Sequence, residues 1–435
     1  MEEYLTIVLP LILLLILLII RVPIAFSLGV SAFVGYYMVD GFSVAFNQLG
    51  ITCYQTMQSF VLAPVAVFIL MGEFITISGI GSDLYEAAYK WLGRIRGSLG
   101  IASVCACAVF AAMCGVSVAS AVAMGRVAIP EMLKRGYDKS LAAGILAAGG
   151  TLGILIPPSV TFILYGVVTE ESIGRLFIAG VLPGILLTFL YASYVFIRAS
   201  INPDIAPSAG KILFKEKIIS LKPLWSVILL ILAVLGSMYS GVCTPSEAAG
   251  VGSFFAMIIA LLYRKLNWQT FKEVLLHSAT ISGFIFIIIT MAVYFGIYLT
   301  RSGGTDCLIE WIISLNLNRW TIMIGINLLL LILGCFMDPS SIILLTGPIL
   351  HSLVVKLGFD PIWFGVILVI NMEMGFITPP MGMNLFAING IAKDIPFESI
   401  LKGVVPFLLL DILCIAIIMI FPDIAIWLPS QMLAK

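Results

Sequence analysis

Charge is scarce in this sequence. Only 11% of its 435 residues are Asp, Glu, Lys or Arg, against roughly 25% in soluble domains. So few charges cannot cover a globular surface, which excludes a water-soluble enzyme. Lys plus Arg and Asp plus Glu both number 23, so a nucleic-acid partner has no electrostatic footprint. Histidine is nearly missing: His277 and His351 are the only two, and chemistry built on imidazole has little to work with. The eight cysteines (53, 105, 107, 114, 243, 307, 335 and 414) show no framework or metal spacing. Cys105 and Cys107 are too close for a Cys-x-x-Cys pair, and the thiols read as small buried apolar groups. The longest polar stretch, 198–222, is too short for a soluble domain. The N-terminus, MEEYLTIVLPLILLLILLIIR, lacks the basic start and small-residue cleavage site of a secretory signal, and reads as a retained span.

What is present is apolar sequence, 61% of the chain. A spanning helix takes about 20 apolar residues. That predicts spans at 4–20, 23–39, 60–78, 139–168, 176–197, 223–241, 246–263, 278–299, 362–391 and 403–421. The fold class expected is an all-α polytopic membrane protein in a lipid bilayer. Stretches 40–59, 80–95 and 266–277 read as interfacial; 83–96 mixes Tyr85, Tyr89 and Trp91 with charges, as a helix in the headgroup plane does. Two further apolar stretches, 97–133 and 320–353, are too long for one span and carry Gly, Ser or Pro at their centres. With the N-terminus outside and these two entering and leaving on one side, 17 of the 23 Lys and Arg fall inside and 5 outside. That agrees with the positive-inside rule. Both stretches therefore read as re-entrant hairpins, the first opening inside and the second outside.

The halves repeat. GYDKSLAAGIL (136–146) matches GFDPIWFGVIL (358–368), and GILIPP (153–158) matches GFITPP (375–380), both at an offset of 222. GVLP (180–183) and GVVP (403–406) follow at 223, and Glu171-Ser172-Ile173 and Glu398-Ser399-Ile400 at 227. The two hairpins face opposite ways, so the repeats are inverted, an arrangement typical of secondary transporters with a midplane site. The organisation expected is a scaffold over 1–95, a first repeat over 96–200, scaffold helices over 201–300 and a second repeat over 301–435.

The paired prolines at 157–158 and 379–380 must break their helices, because proline lacks an N–H and clashes with the preceding turn. Freed carbonyls cannot face lipid and must line an enclosed polar site. Gly149, Gly150, Gly153, Gly375 and Gly382 permit close backbone approach. The first tip offers Gly115, Ser117 and Ser120; the second offers Gly334, Asp338, Ser340 and Ser341. Hydroxyl and carbonyl oxygens suit a hard cation, so sodium is expected at two or more sites, with no other cofactor and no transition metal. Ionisable residues within apolar stretches are functional candidates: Glu73, Arg126, Glu247, Asp338, Glu373 and Asp411, with Glu73 and Asp411 read as structural pairs and Arg126 as snorkelling.

Three runs carry a family resemblance: GVSVASAVAMGRVAIPEMLKRGYDKSLAAGILAAGGTLGILIPPSVTFILYG (115–166), GCFMDPSSIILLTGPIL (334–350) and NMEMGFITPPMGMNLFAINGIAK (371–393). The chain resembles the large membrane subunit of tripartite ATP-independent periplasmic (TRAP) transporters. That resemblance implies an elevator-type secondary transporter, not an enzyme, importing a small organic anion (carboxylate, sialic acid or sulfonate) with sodium across the bacterial inner membrane. It implies two partners, a small four-helix membrane subunit on a separate chain and a periplasmic substrate-binding protein. It places one sodium site at Gly115, Ser117 and Ser120 with the backbone around Gly153, Ile156 and Pro158. The other lies at Gly334 and Asp338 with the backbone around Gly375, Thr378 and Met381. The substrate's anionic group is assigned near Ser159, Asp338 or Asn384. One departure stands out: the family's first tip reads as Ser-Gly-Ser-Ser, and here it is Cys114-Gly115-Val116-Ser117. Two hydroxyls are missing, so carbonyls carry more of that site. The alternative is a stand-alone sodium–dicarboxylate symporter that needs no binding protein.

Overall fold

The computed structural model describes residues 2–207 and 213–431, with side chains from Leu5 onward. Lys211 and Lys435 of the charge count lie outside these residues. Among the described residues there is no strand, and nine helical segments are long and apolar enough to cross a membrane. The chain is thus an all-helical, multi-pass membrane protein.

The apolar stretch 97–133 folds as two helices, Ser98–Cys114 and Ser117–Lys134, joined at Gly115. Gly115 can take the left-handed φ of +69° that ends the first arm. The stretch 320–353 forms the second hairpin, Arg319–Phe336 and Pro339–Lys356. Here Asp338 starts the return arm by accepting the Ser341 N–H at 3.1 Å, an N-cap. The Gly-aromatic-Asp repeat also has a local cause. Gly136 and Gly358 both hold left-handed φ, +78° and +76°, just past each hairpin's last helix. Asp138 then caps the next helix from Leu141 N (2.9 Å), and Asp360 caps its counterpart from Ile362 N (2.8 Å) and Trp363 N (3.0 Å).

Those next helices are broken. The first runs Lys139–Leu155, then Val160–Thr169; the second runs Pro361–Phe376, then Met383–Ile391. They are the most deeply enclosed rods of the molecule, buried continuously over 141–155 and 362–376. Long helices Ile173–Ile201 and Phe397–Ile420 complete the two halves.

Contacts at the helix ends fix their directions. Lys139 Nζ donates to the Asp394 carbonyl (2.9 Å) and Ser140 Oγ to that of Ser399 (2.7 Å). The first broken helix therefore starts where the second one ends. Tyr165 Oη donates to the Pro361 carbonyl (2.8 Å), and His351 lies 3.2 Å from Glu171. The second therefore starts where the first ends, and the two repeats run in opposite directions. They touch backbone to backbone: a Cβ on Gly403 would stand 2.0 Å from the Ser140 carbonyl, and one on Gly144 2.2 Å from that of Gly403.

Around this pair stand the remaining helices. The stretch 266–277 does not form a separate interfacial piece. It opens one continuous helix, Trp268–Arg301, because no Pro interrupts it after the Asn267 cap and Gly283 and Gly296 are carried within it. At 34 residues it is about 51 Å long at 1.5 Å per residue. Tyr294 and Tyr298 dock its far half on the N-terminal helices, donating to the carbonyls of Ala45 and Thr6. Stretches 40–59 and 80–95 hold the helices Phe42–Gln58 and Ile80–Leu92. The segment Phe214–Tyr239 contains one π-helical stretch, Leu232–Gly236.

Candidate ion and substrate site

Each hairpin tip lies on the break of its own half. In the first break, prolines at 157 and 158 deprive the Gly153 and Ile154 carbonyls of their helical N–H partners. Ser159 bridges the gap: its hydroxyl donates to the Ile154 carbonyl (2.5 Å) and caps the second half through Phe162 N (3.4 Å). Ser159 is fully buried, so its hydroxyl serves the break itself. The tip sits close above. A Cβ on Gly115 would stand 2.5 Å from the Pro158 carbonyl, and one on Gly153 2.9 Å from Ser120 Oγ and 3.1 Å from the Val116 carbonyl. Gly115, Ser120, Gly153 and Pro158 are thus brought together. Ile156 lies in the break and turns toward Gly184. Ser120 Oγ donates to the Val116 carbonyl (3.0 Å).

In the second break, prolines at 379 and 380 free the Gly375 and Phe376 carbonyls by the same rule. Gly334 and Gly375 meet directly: a Cβ on Gly375 would lie 2.9 Å from both the Cα and the carbonyl of Gly334. Met381 N–H donates to the Cys335 carbonyl (3.0 Å), and Thr378 Oγ1 to that of Met374 (2.6 Å). A small pocket beside the glycine pair is walled by Met337, Met372, Met381 and Met383. Asp338 is half-buried, and its carboxylate is engaged by Ser341 through both N–H and hydroxyl. The breaks differ in exposure: Pro157 and Pro158 are buried, whereas Pro379 and Pro380 are exposed.

The oxygens gathered at both tips are main-chain carbonyls and hydroxyls, and each cradle is one that a Cβ would fill. That donor set fits a hard, weakly charged cation such as sodium, which takes oxygen ligands. Carbonyls of Val116, Gly153 and Pro158 with Ser120 Oγ would hold it at the first tip, and carbonyls of Gly334 and Gly375 at the second. Among the described residues no group of three or more His, Cys, Asp or Glu is placed to hold a metal.

The amide of Asn384 bonds to the first repeat. Fully buried at the start of Met383–Ile391, it donates through Nδ2 to Ser117 Oγ and to the Ala147 carbonyl, both at 2.9 Å. It therefore belongs to the first tip, across the repeat boundary. The pair Asn371 and Asn327 escaped the sequence reading. Asn371, in the second broken helix, donates to Asn327 of the second hairpin (2.7 Å) and to the Ile367 carbonyl (2.9 Å); an asparagine within an apolar run was the available signal. Glu373 is fully buried, with neither oxygen hydrogen-bonded, beside Asp411. Asp411 accepts from Tyr191 Oη at 2.5 Å.

The other ionisable candidates have plain structural places. Glu73 pairs with His277 at 3.0 Å. Glu247 forms a capping box with Thr244. Arg126 is exposed on its hairpin arm.

Comparison with known proteins gives this arrangement a family. Residues 11–424 match the family described as the tripartite ATP-independent periplasmic transporter, DctM component. The C4-dicarboxylate TRAP transporter large permease protein of Pseudomonas aeruginosa is 37% identical over 406 residues, 93% of this chain and 94% of that one. The isethionate TRAP transporter permease protein DctMQ of Oleidesulfovibrio alaskensis is 33% identical over 408 residues, 93% of this chain and 63% of that one. In fold, the chain is similar to the crystal structure of the Alcanivorax borkumensis YdaH transporter, with a TM-score of 0.62 at 15% identity, covering 91% of this chain and 90% of that chain. Two inverted repeats, each seating a hairpin tip on a broken helix, belong here to a large permease component of the TRAP transporter family, a secondary transporter and not an enzyme.

Proposed function

We propose that this chain imports a small organic anion, a carboxylate or a sulfonate, across the bacterial inner membrane, coupled to sodium. The observation that carries the reading is the paired tip-on-break geometry, in which oxygens from two separate segments converge only when a tip is seated. Bound there, sodium supplies positive charge that ties tip to break. The chain's own part is to hold the Val116 and Pro158 carbonyls, and those of Gly334 and Gly375, within reach of one another. Seating both tips then pre-organises the space between them for the anion.

The substrate class draws on the C4-dicarboxylate and isethionate named for the two relatives. Half-helix N-termini at the breaks suit an anion there. The excess of Lys and Arg at the end where the first broken helix starts supports a cytoplasmic position for that end, with re-entrant hairpins and a periplasmic N-terminus. The repeats move as one body against the surrounding scaffold, an elevator motion. A periplasmic binding protein delivers the substrate, and a small membrane subunit on another chain completes the frame.

Uptake into proteoliposomes tests this. The chain is reconstituted with its small partner subunit under an inward sodium gradient, with labelled C4-dicarboxylate, sialic acid or isethionate, with and without the binding protein. Accumulation that needs both sodium and the binding protein is expected. Sodium-driven accumulation without the binding protein identifies a stand-alone symporter, and equilibration indifferent to the gradient refutes coupling.

A further inference from the structure

We propose that Asn384, supplied by the second repeat, is a side-chain ligand of the cation held at the first tip. The inference rests on the sodium reading above. Both Nδ2 donors of Asn384 are committed, to Ser117 Oγ and to the Ala147 carbonyl, so the plane of the amide is fixed. Its Oδ1 is buried and has no hydrogen-bond partner. A buried acceptor left unpaired costs about 1–3 kcal/mol, and an ion is one of the partners that satisfies such a group in native structures. An amide oxygen is the kind of hard donor an alkali cation takes.

Side-chain oxygen at the first tip from its own repeat is limited to the hydroxyls of Ser117 and Ser120. Cys114 and Val116 offer none. The Ser117 hydroxyl is engaged by Asn384, and that of Ser120 donates to the Val116 carbonyl. The free oxygen of Asn384 meets that deficit.

The same segment also reaches the second tip. Met381, three residues earlier, donates its N–H to the Cys335 carbonyl at 3.0 Å. Residues 381–384 thus hold one tip through the backbone and the other through a side chain. The matching position of the first repeat, 222 residues earlier, is Phe162, which is buried and apolar. The bridge therefore runs one way, from the second break to the first tip. Seating of the second tip positions Asn384, and a cation at the first tip stabilises that position in return, since coupling between sites is reciprocal.

The test reads sodium through stability rather than through transport. The full chain, with its small subunit in lipid nanodiscs, is unfolded by heat over a sodium series with choline as replacement. For the unsubstituted chain, sodium raises the midpoint with a Hill coefficient above one. In Asn384→Leu the half-effective sodium concentration rises by about ten-fold or more, within the usual range of such couplings, and the Hill coefficient falls towards one. In Asn384→Asp, which keeps an oxygen and loses the amide donors, sodium stabilises at least as strongly as in the unsubstituted chain. If Asn384→Leu does not fold, Asn384→Asp decides alone. Variants that both keep the original sodium response, or an aspartate variant as insensitive as the leucine one, overturn the role of Asn384. An unsubstituted chain that ignores sodium refutes the proposed function instead.

Discussion

The glycines of the two tips make a graded prediction. At Gly115 an added Cβ meets the Pro158 carbonyl at 2.5 Å, and φ is +69°. The overlap is with backbone, which cannot swing aside. The left-handed conformation costs an L-residue about 1–2 kcal/mol, and overpacking adds about 1–3 kcal/mol. Gly115→Ala should therefore weaken the seating of the first tip by about 2–5 kcal/mol, at least thirty-fold. At Gly334 the nearest atom to an added Cβ is the Gly375 Cα at 3.1 Å, a squeeze of a few tenths of an ångström. Alanine in place of a helical glycine returns about 1 kcal/mol, so Gly334→Ala should lose less than tenfold. Gly375→Ala, with contacts at 2.9 Å, should fall between them. Sodium-dependent uptake, measured beside thermal midpoints, gives the order. Gly115→Ala transporting as well as Gly334→Ala would refute the claim that the tip rests on its break.

Two further outcomes follow from the core. Gly403→Ala places a Cβ 2.0 Å from the Ser140 carbonyl and must part the two repeats; a loss of about 2–4 kcal/mol or failure to fold is expected by steric-trapping unfolding, whereas Gly250→Ala, with open space around it, should stay within about 1 kcal/mol. Asp411→Asn keeps an acceptor for Tyr191 and removes one of two adjacent buried carboxyls, so its midpoint should match or exceed the original, while Asp411→Ala should cost about 2–4 kcal/mol through the lost contact and the stranded Tyr191 hydroxyl.

Much of this could be read from the chain because the decisive signals are local. A Pro-Pro pair forces a break wherever it stands, and a glycine between apolar runs marks a tip. The Gly-aromatic-Asp repeat encodes a helix end followed by a helix cap, each settled within about four residues. The inverted order follows from the charge counts together with the Gly, Ser and Pro centres of the two long apolar stretches, and the end-to-end bonds of Ser140 and Tyr165 give it a geometric basis.

What escaped was set by distance along the chain. Asn384 stands four residues after its prolines and read as a group for the substrate. Its partner Ser117 is 267 positions away, and no periodicity announces that pairing. The run of 268–301 reads in two parts, an interfacial stretch over 266–277 and a span over 278–299. Helix continuity depends on the absence of a proline or cap, not on polarity; the run has no proline, and the helix carries Gly283 and Gly296 within it.

Where the scaffold helix Ala63–Ser78 passes the first tip, Gly72 offers no side chain, and a Cβ there would lie 2.6 Å from the Cys114 carbonyl. One turn to either side on that face come Phe68 and Thr76. The tip therefore rests in a notch with a raised lip above and below. Any proposed sliding along the helix would have to lift the tip out of this notch, as a sprung ball leaves a detent. In the elevator motion proposed above, this contact would mark one defined stop of the moving repeats along the helix.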